Sequence, residues 1–156
     1  MEHLVQELNQ IIEAYATKFN TIPDAEFSAK PNPDKWSRKE VLGHLIDSAQ
    51  SNLRRFVCAQ YEASPSKIVY DQNYWVIANA YQYAPKEDVI MLWKLINKRI
   101  ADVLKTMPAK KYIRESDTGK ESVQLHSLAW LARDYVKHMK HHINQIIPMS
   151  FDIVYS

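Results

Sequence analysis

The stretch from Tyr135 to Ile146 carries three histidines, and two of them, His138 and His142, stand four residues apart. Residues at that spacing lie one turn above each other on an α-helix, so the two imidazoles point the same way and can share one ion. Leu128, Leu131, Tyr135, His138 and His142 follow the three- and four-residue steps of a buried seam. The pair therefore occupies positions where leucines are expected. His141 falls at the edge of the seam and ranks below the other two as a ligand. Core histidines satisfied by hydrogen bonds, or a basic, partly exposed helix end, have the same spacing. Each buried imidazole needs a polar partner, and one metal ion satisfies both. A third ligand from elsewhere in the chain separates these readings, and His44 is the candidate.

The single cysteine, Cys58, excludes an internal disulfide and any multi-cysteine zinc site, which leaves histidine and carboxylate to hold a metal. Cys58 itself, beside Phe56 and Val57, reads as a small core residue. The 156 residues suit a single domain over 1–156 with a real core, and 46% hydrophobic with 24% charged residues is ordinary globular composition. A net charge of +2, from 20 basic and 18 acidic residues scattered along the chain, points to neither nucleic acid nor an anionic membrane. The chain has no apolar run approaching the roughly 20 residues of a membrane span, and MEHLVQELNQ lacks the regions of a signal peptide. A cytoplasmic protein is expected.

Only two glycines, with long periodic stretches between proline clusters, predict helices and no large sheet. A first helix spans roughly residues 2 to 20, with Leu4, Val5, Leu8, Ile11, Ile12, Tyr15 and Phe19 on one face. The second opens at the capping box Ser37-Arg-Lys-Glu40 and buries Val41, Leu42, Leu45, Ala49, Leu53 and Phe56. Beside that face runs a polar stripe, Glu40, His44, Asp47/Ser48, Ser51 and Arg55, which is either a cleft wall or a solvated flank. A third helix starts at Pro85 and runs through Ile90, Leu92, Trp93, Leu95, Ile96, Ile100, Val103 and Leu104 to Met107. The fourth starts near Ser127 and carries the histidines.

Two longer connections join these helices. Ala63 to Ala84 reads as an aromatic loop in which Tyr70, Asp71, Asn73, Tyr74 and Trp75 wall a pocket or plug one end of a bundle. Tyr112–Glu115 and Ser122–Leu125, split by Asp117-Thr-Gly119-Lys, resemble a small β-hairpin before the last helix. His126, just outside that helix, reads as surface. An apolar run from Ile146 to Tyr155, broken by Pro148, suits packing against the domain or a second subunit. Four helices with two longer connections form a four-helix bundle, which builds its sites from side chains on facing helices. The second and fourth helices can then bring His44 against His138 and His142.

Trp36-Ser-Arg-Lys-Glu-Val-Leu-Gly-His44-Leu-Ile-Asp47-Ser48, followed by Asn52, Arg55-Phe56, Tyr70-Asp71, Trp75 and His138-x-x-x-His142, resembles the DinB-like superfamily over roughly residues 30 to 146. Within it, the pattern is similar to the YfiT-like branch, which includes bacillithiol S-transferases and proteins labelled metal-dependent hydrolases. The resemblance implies an all-α bundle of up-down-down-up order and one divalent metal ion, nickel or zinc, on His44, His138 and His142. It also implies thiol-dependent transfer in related members, and homodimers.

Three neutral imidazoles leave a divalent ion with open positions, as in catalytic sites and unlike closed structural ones. The leading expectation is a metal-dependent S-transferase that joins a low-molecular-weight thiol to an electrophile. Arg55 would orient an anionic group, Asp47 or Asp71 would act as a base or orient a ligand, and Tyr70 and Trp75 would contact substrate. A metal-dependent hydrolase is the rival of the same class. A non-catalytic protein that binds a metal or small ligand is the rival of another.

Overall fold

The computed structural model describes residues 1–153, and its elements pack around one helix, α3 (Arg38–Tyr61), which is buried on almost every side from Lys39 to Ala49 and keeps an exposed stripe, Gln50, Arg54, Val57 and Tyr61, beyond that. The start of α3 is the capping box read from the sequence. Ser37 Oγ accepts from Glu40 N at 3.1 Å and Glu40 Oε2 accepts from Ser37 N at 2.8 Å, so two otherwise orphaned donors are satisfied. Gly43 makes close packing possible one turn on. A Cβ at Gly43 would stand 2.1 Å from Tyr81 Cδ2, so only glycine lets that ring lie flat on the helix.

The other long helices are α1 (Glu2–Asn20), α5 (Lys86–Thr106) and α6 (Leu128–Ile146), and shorter ones are α2 (Asp24–Ser28) and α4 (Gln72–Ala78). Hydrogen bonds between their ends fix the directions. Lys86 Nζ donates to Ile22 O at 2.7 Å, so α5 starts where α1 ends. Lys39 Nζ donates to Ala84 O at 2.7 Å, which sets the start of α5 beside the start of α3, and the two run parallel. Arg114 and Lys111, before α6, donate to Ala59 O and Gln60 O at the end of α3, so α6 runs back along it. The order is therefore up, down, down, up. A parallel α3–α5 pair requires the long crossover of residues 62–85 to climb the length of the bundle.

Leu8, Ile12 and Phe19 of α1, Leu42, Leu45, Ile46 and Phe56 of α3, Trp93, Ile100 and Leu104 of α5, and Leu128 of α6 fill the core. One polar pair is buried among them. Tyr135 Oη bonds Asn97 Oδ1, and Asn97 Nδ2 donates to Trp93 O at 2.8 Å, so the amide is satisfied on both sides. Among the described residues, no helix is long and apolar enough to cross a membrane.

Four details differ from the sequence reading. The stretch 63–84 is not all loop: Asp71 accepts from Tyr74 N at 3.0 Å and nucleates α4, and a 3-10 turn, Tyr81–Tyr83, follows. The short α2 has too few residues to show a period. The hairpin strands are Glu115–Asp117 (β1) and Leu125–Ser127 (β2), antiparallel, each displaced toward the C-terminus from the expected segments. The displacement has a cause in Asp117, whose Oδ1 accepts from Gly119 N and Gln124 N, each at 2.9 Å, and so builds the turn from residues assigned to a strand. Leu92 and Leu95 lie on the outer face of α5, half exposed. At the C-terminus, Asn144 bonds both backbone groups of Phe151, whose ring packs 5.1 Å from Tyr15. The run read there as apolar extends to Tyr155, and its last two residues lie outside the described ones.

Alanine normally stabilises a helix interior relative to glycine by about 0.5–1 kcal/mol. At Gly43 the opposite is expected. Gly43→Ala must push Tyr81 off α3 and should destabilise the protein by about 1–3 kcal/mol, read as a lower urea midpoint. An unchanged or raised midpoint would show that Tyr81 does not rest on that backbone.

Candidate metal centre

Helices α3 and α6 face each other antiparallel, and their contact brings His44 to the histidine pair. One ring nitrogen of each of His44, His138 and His142 lies within 4.8 Å of the others. His44 Nε2 and His138 Nε2 are 3.3 Å apart, and the ring of His142 stands 4.5 Å from each of the other two rings. Two nitrogens on one tetrahedral zinc ion, each about 2.0–2.1 Å from it, would be separated by about 3.3–3.4 Å. The donor set and its spacing therefore fit a divalent ion. His44 is 1% exposed, and its Nδ1 has no hydrogen-bond partner among the described residues.

Burial governs the charge state of the three rings. It lowers the pKa of His44 to about 3, with repulsion from His142 adding to the effect. His138 is pushed well below the usual range by burial first and then by His142, His44 and His141. His142 is lowered by burial, with its hydrogen bond to Gln145 acting the other way. All three are neutral at physiological pH, as metal ligation requires. Trp36 covers this cluster from one side, its ring 5.1 Å from that of His44.

The polar stripe on α3 is neither a solvated flank nor a bare wall: Glu40, His44, Asp47, Ser48 and Ser51 are all buried. Asp47, one turn beyond His44, accepts through Oδ1 from Tyr81 Oη at 2.7 Å and Asn79 Nδ2 at 3.2 Å. Its Oδ2 is buried without a hydrogen-bond partner among the described residues, and burial raises its pKa to about 6. Burial raises the pKa of the Tyr70 hydroxyl, with Ser48 acting the other way, and its ring meets Trp75 edge-on at 5.9 Å.

Two other expected site residues are engaged in holding the chain. Arg55 donates through Nε and Nη2 to Ile68 O and through Nη1 to Asn52 Oδ1, which ties the crossover to α3. Asp71 is the exposed N-cap of α4. The expected pocket is also arranged differently. A groove of about 800 Å³ lies on the Trp36 side, lined by Lys30, Lys35, Val41, Gln72, Asn73 and Gln145 among others. Tyr70 and Asp71 line a separate groove of about 440 Å³ with Lys120. Arg55 and Trp75 border neither.

Sequence reasoning did not single out Trp36, Tyr81, Asn79 or Gln145 as site residues. Gly43 was a signal for Tyr81, because a helix-interior glycine asks for a close neighbour. Gln145 was legible as the residue three past His142 and four past His141.

Residues 7–146 match the sequence model of the DinB superfamily, and the chain belongs to that family. A Bacillus subtilis (strain 168) protein, YfiT, whose name assigns it to metal-dependent hydrolases, is 24% identical over 149 residues, covering 94% of this chain and 82% of that one. The solved structure of YfiT, described as an unusual four-helix bundle topology, superposes with a TM-score of 0.82 at 21% identity over 93% of this chain and 82% of that one. A mycothiol-dependent maleylpyruvate isomerase shares the fold more distantly, with a TM-score of 0.69 and 11% identity over 96% of this chain and 60% of its own.

Metal analysis of purified protein should find one divalent ion per chain, lost in His44→Ala, His138→Ala and His142→Ala and kept in His141→Ala. Full metal content in all three triad variants would refute the assignment. Chelation should lower the melting temperature while helical circular dichroism persists at 25 °C, since an ion a hundredfold above its dissociation constant contributes about 2.7 kcal/mol and the core does not depend on it.

Acidification should destabilise the metal-free protein. Between pH 6.5 and about 3 the unfolded chain protonates His44 and the folded one does not, so stability is present above 6.5 and is lost as pH falls. Asp47 works against this between 3.8 and about 6, where the folded state holds the extra proton. Three lowered imidazoles outweigh one raised carboxyl. Melting temperatures measured in chelator from pH 7.5 to 4 should therefore fall, and less steeply in His44→Phe; a flat profile in the parent protein would contradict the buried neutral triad.

Proposed function

We propose that the protein is a metal-dependent enzyme that joins a low-molecular-weight thiol to an electrophilic small molecule, with His44, His138 and His142 as the metal ligands. The observation that carries this reading is the convergence of three neutral imidazoles, His44 buried and His138 and His142 half-buried, with an open groove of about 800 Å³ on the Trp36 side. When bound, a divalent ion on an uncharged donor set keeps its double charge and open positions, which favours a thiol as its thiolate and polarises an electrophile.

The chain's own residues supply the remainder. The groove has the volume of a site for cofactor-sized ligands. None of the three histidines lines it; Trp36, against His44, and Gln145, against His142, form the wall between groove and triad, so a substrate in the groove would meet the metal only past these two side chains. Trp36 shields the His44 ring from water. Asp47 Oδ2, buried and raised to about 6, is basic enough near neutrality to take up a proton released from the thiol. Tyr81 and Asn79 hold the other carboxylate oxygen and so keep Oδ2 available. Tyr70 and Trp75, on the crossover, stay candidates for contact with a long substrate, and nickel and zinc are the ions to try first.

A hydrolytic reading has one specific support, the assignment in the name of the Bacillus subtilis relative. The two reactions part in an assay. Metal-loaded protein should consume an electrophile only when a thiol is added, and should lose that activity on chelation. Asp47→Asn should reduce kcat by about 10²–10⁴-fold with metal content intact. Cleavage of ester or amide substrates without any thiol, alongside no thiol consumption, would establish the hydrolase instead.

A further inference from the structure

His142 differs from His44 in how its Nδ1 is held, and the bond to Gln145 leaves Nε2 as the nitrogen of His142 available to the cluster. His142 Nδ1 lies 2.9 Å from Gln145 Oε1, whereas His44 Nδ1 has no hydrogen-bond partner among the described residues. The other end of the same amide, Gln145 Nε2, is 3.4 Å from His141 Nε2. Helix geometry makes both contacts local, since Gln145 follows His142 by three residues and His141 by four.

We infer that Gln145 is a positioning residue that locks His142 in the Nδ1–H tautomer and so keeps the Nε2 lone pair directed at His44 and His138. An amide oxygen carries no proton, so at 2.9 Å the imidazole must be the donor. A neutral ring that donates from Nδ1 has its free electron pair on Nε2. His141 in turn fixes the amide: its Nε2 accepts from Gln145 Nε2, which leaves Oε1 facing His142. Turned through 180°, the amide would give His142 the opposite tautomer and place a proton on the nitrogen facing the cluster. His141, outside the ligand set, thus acts on it through Gln145. The inference rests on the reading of the triad as a metal site, but its first consequence is visible without any metal. It also assigns a role to an exposed residue on the groove wall whose loss leaves the core untouched.

The test uses the full chain in two forms. Two-bond proton–nitrogen correlation spectra of metal-free, nitrogen-15-labelled protein at pH 7.5 should show His142 as the Nδ1–H tautomer. In Gln145→Ala the Nε2–H tautomer should appear, and competition with a chromophoric chelator should show Zn²⁺ bound about 10–100-fold more weakly. Gln145→Glu keeps an acceptor oxygen and should restore both the tautomer and the affinity. A role in folding alone would move neither readout selectively. Three results overturn the inference: Nε2–H in the wild type, an unchanged tautomer in Gln145→Ala, or a shifted tautomer with unchanged Zn²⁺ affinity. A wild-type protein that shows the Nδ1–H tautomer yet binds no Zn²⁺ bears out the positioning and refutes the metal reading instead.

Discussion

A helix with hardly any face on solvent must find a partner for every polar side chain it carries. The first half of helix α3 is in that position, while Gln50, Arg54, Val57 and Tyr61 leave one exposed stripe on its second half, and much of the architecture can be derived from how the demand is met. Glu40 closes the capping box, Lys39 reaches Ala84 O, Asn52 turns back to Ser48 O, Asp47 takes Tyr81 and Asn79, and Arg55 takes Ile68 O. His44 is answered by two further imidazoles. Replacing any of these by an apolar residue would strand its partner, and a stranded buried polar group costs about 1–3 kcal/mol. The polar residues on α3 therefore specify which segments pack against it, while the apolar ones supply the bulk of the stabilisation.

The crossover of residues 62–85 is the largest beneficiary of this arrangement. It has few buried apolar side chains, chiefly Ile68, Val76 and Tyr81, and it cannot be held on the bundle by hydrophobic burial alone. Bonds from α3 fix it at both ends: Arg55 holds Ile68 toward its beginning, and Asp47 and Lys39 hold Asn79, Tyr81 and Ala84 toward its end. Because the segment must run the length of the bundle to let α5 start beside α3, it passes the histidine cluster on the way.

Much of this was legible in the sequence, for identifiable reasons. The four long helices declared themselves by period, cap and proline, and the histidine pair stood out because it broke an apolar seam at the spacing of one helical turn. The directions were implied by the resemblance. What was hidden depended on tertiary partners. Nothing local shows that Arg55 meets a backbone carbonyl thirteen residues on, or that Asp71 caps a helix of seven residues. Strand limits in the hairpin were obscured because one carboxylate, Asp117, serves the turn as well as the ladder. The groove wall was missed because it joins the 26–38 segment, α4 and the end of α6, which no periodicity connects.

The up-down-down-up order has a consequence for the order of events when the chain is made. His44 and His138 are 94 residues apart, and every element that separates them must be synthesised first. At about 5–20 residues per second, His44 waits roughly 5–20 s on the ribosome for its partners. During that interval the nascent α3 exposes a buried-type histidine and a row of unanswered polar groups, with the crossover and α5 arriving before α6. The triad is therefore completed only by the last helix to dock, and three ligands for one ion would not stand together before that step.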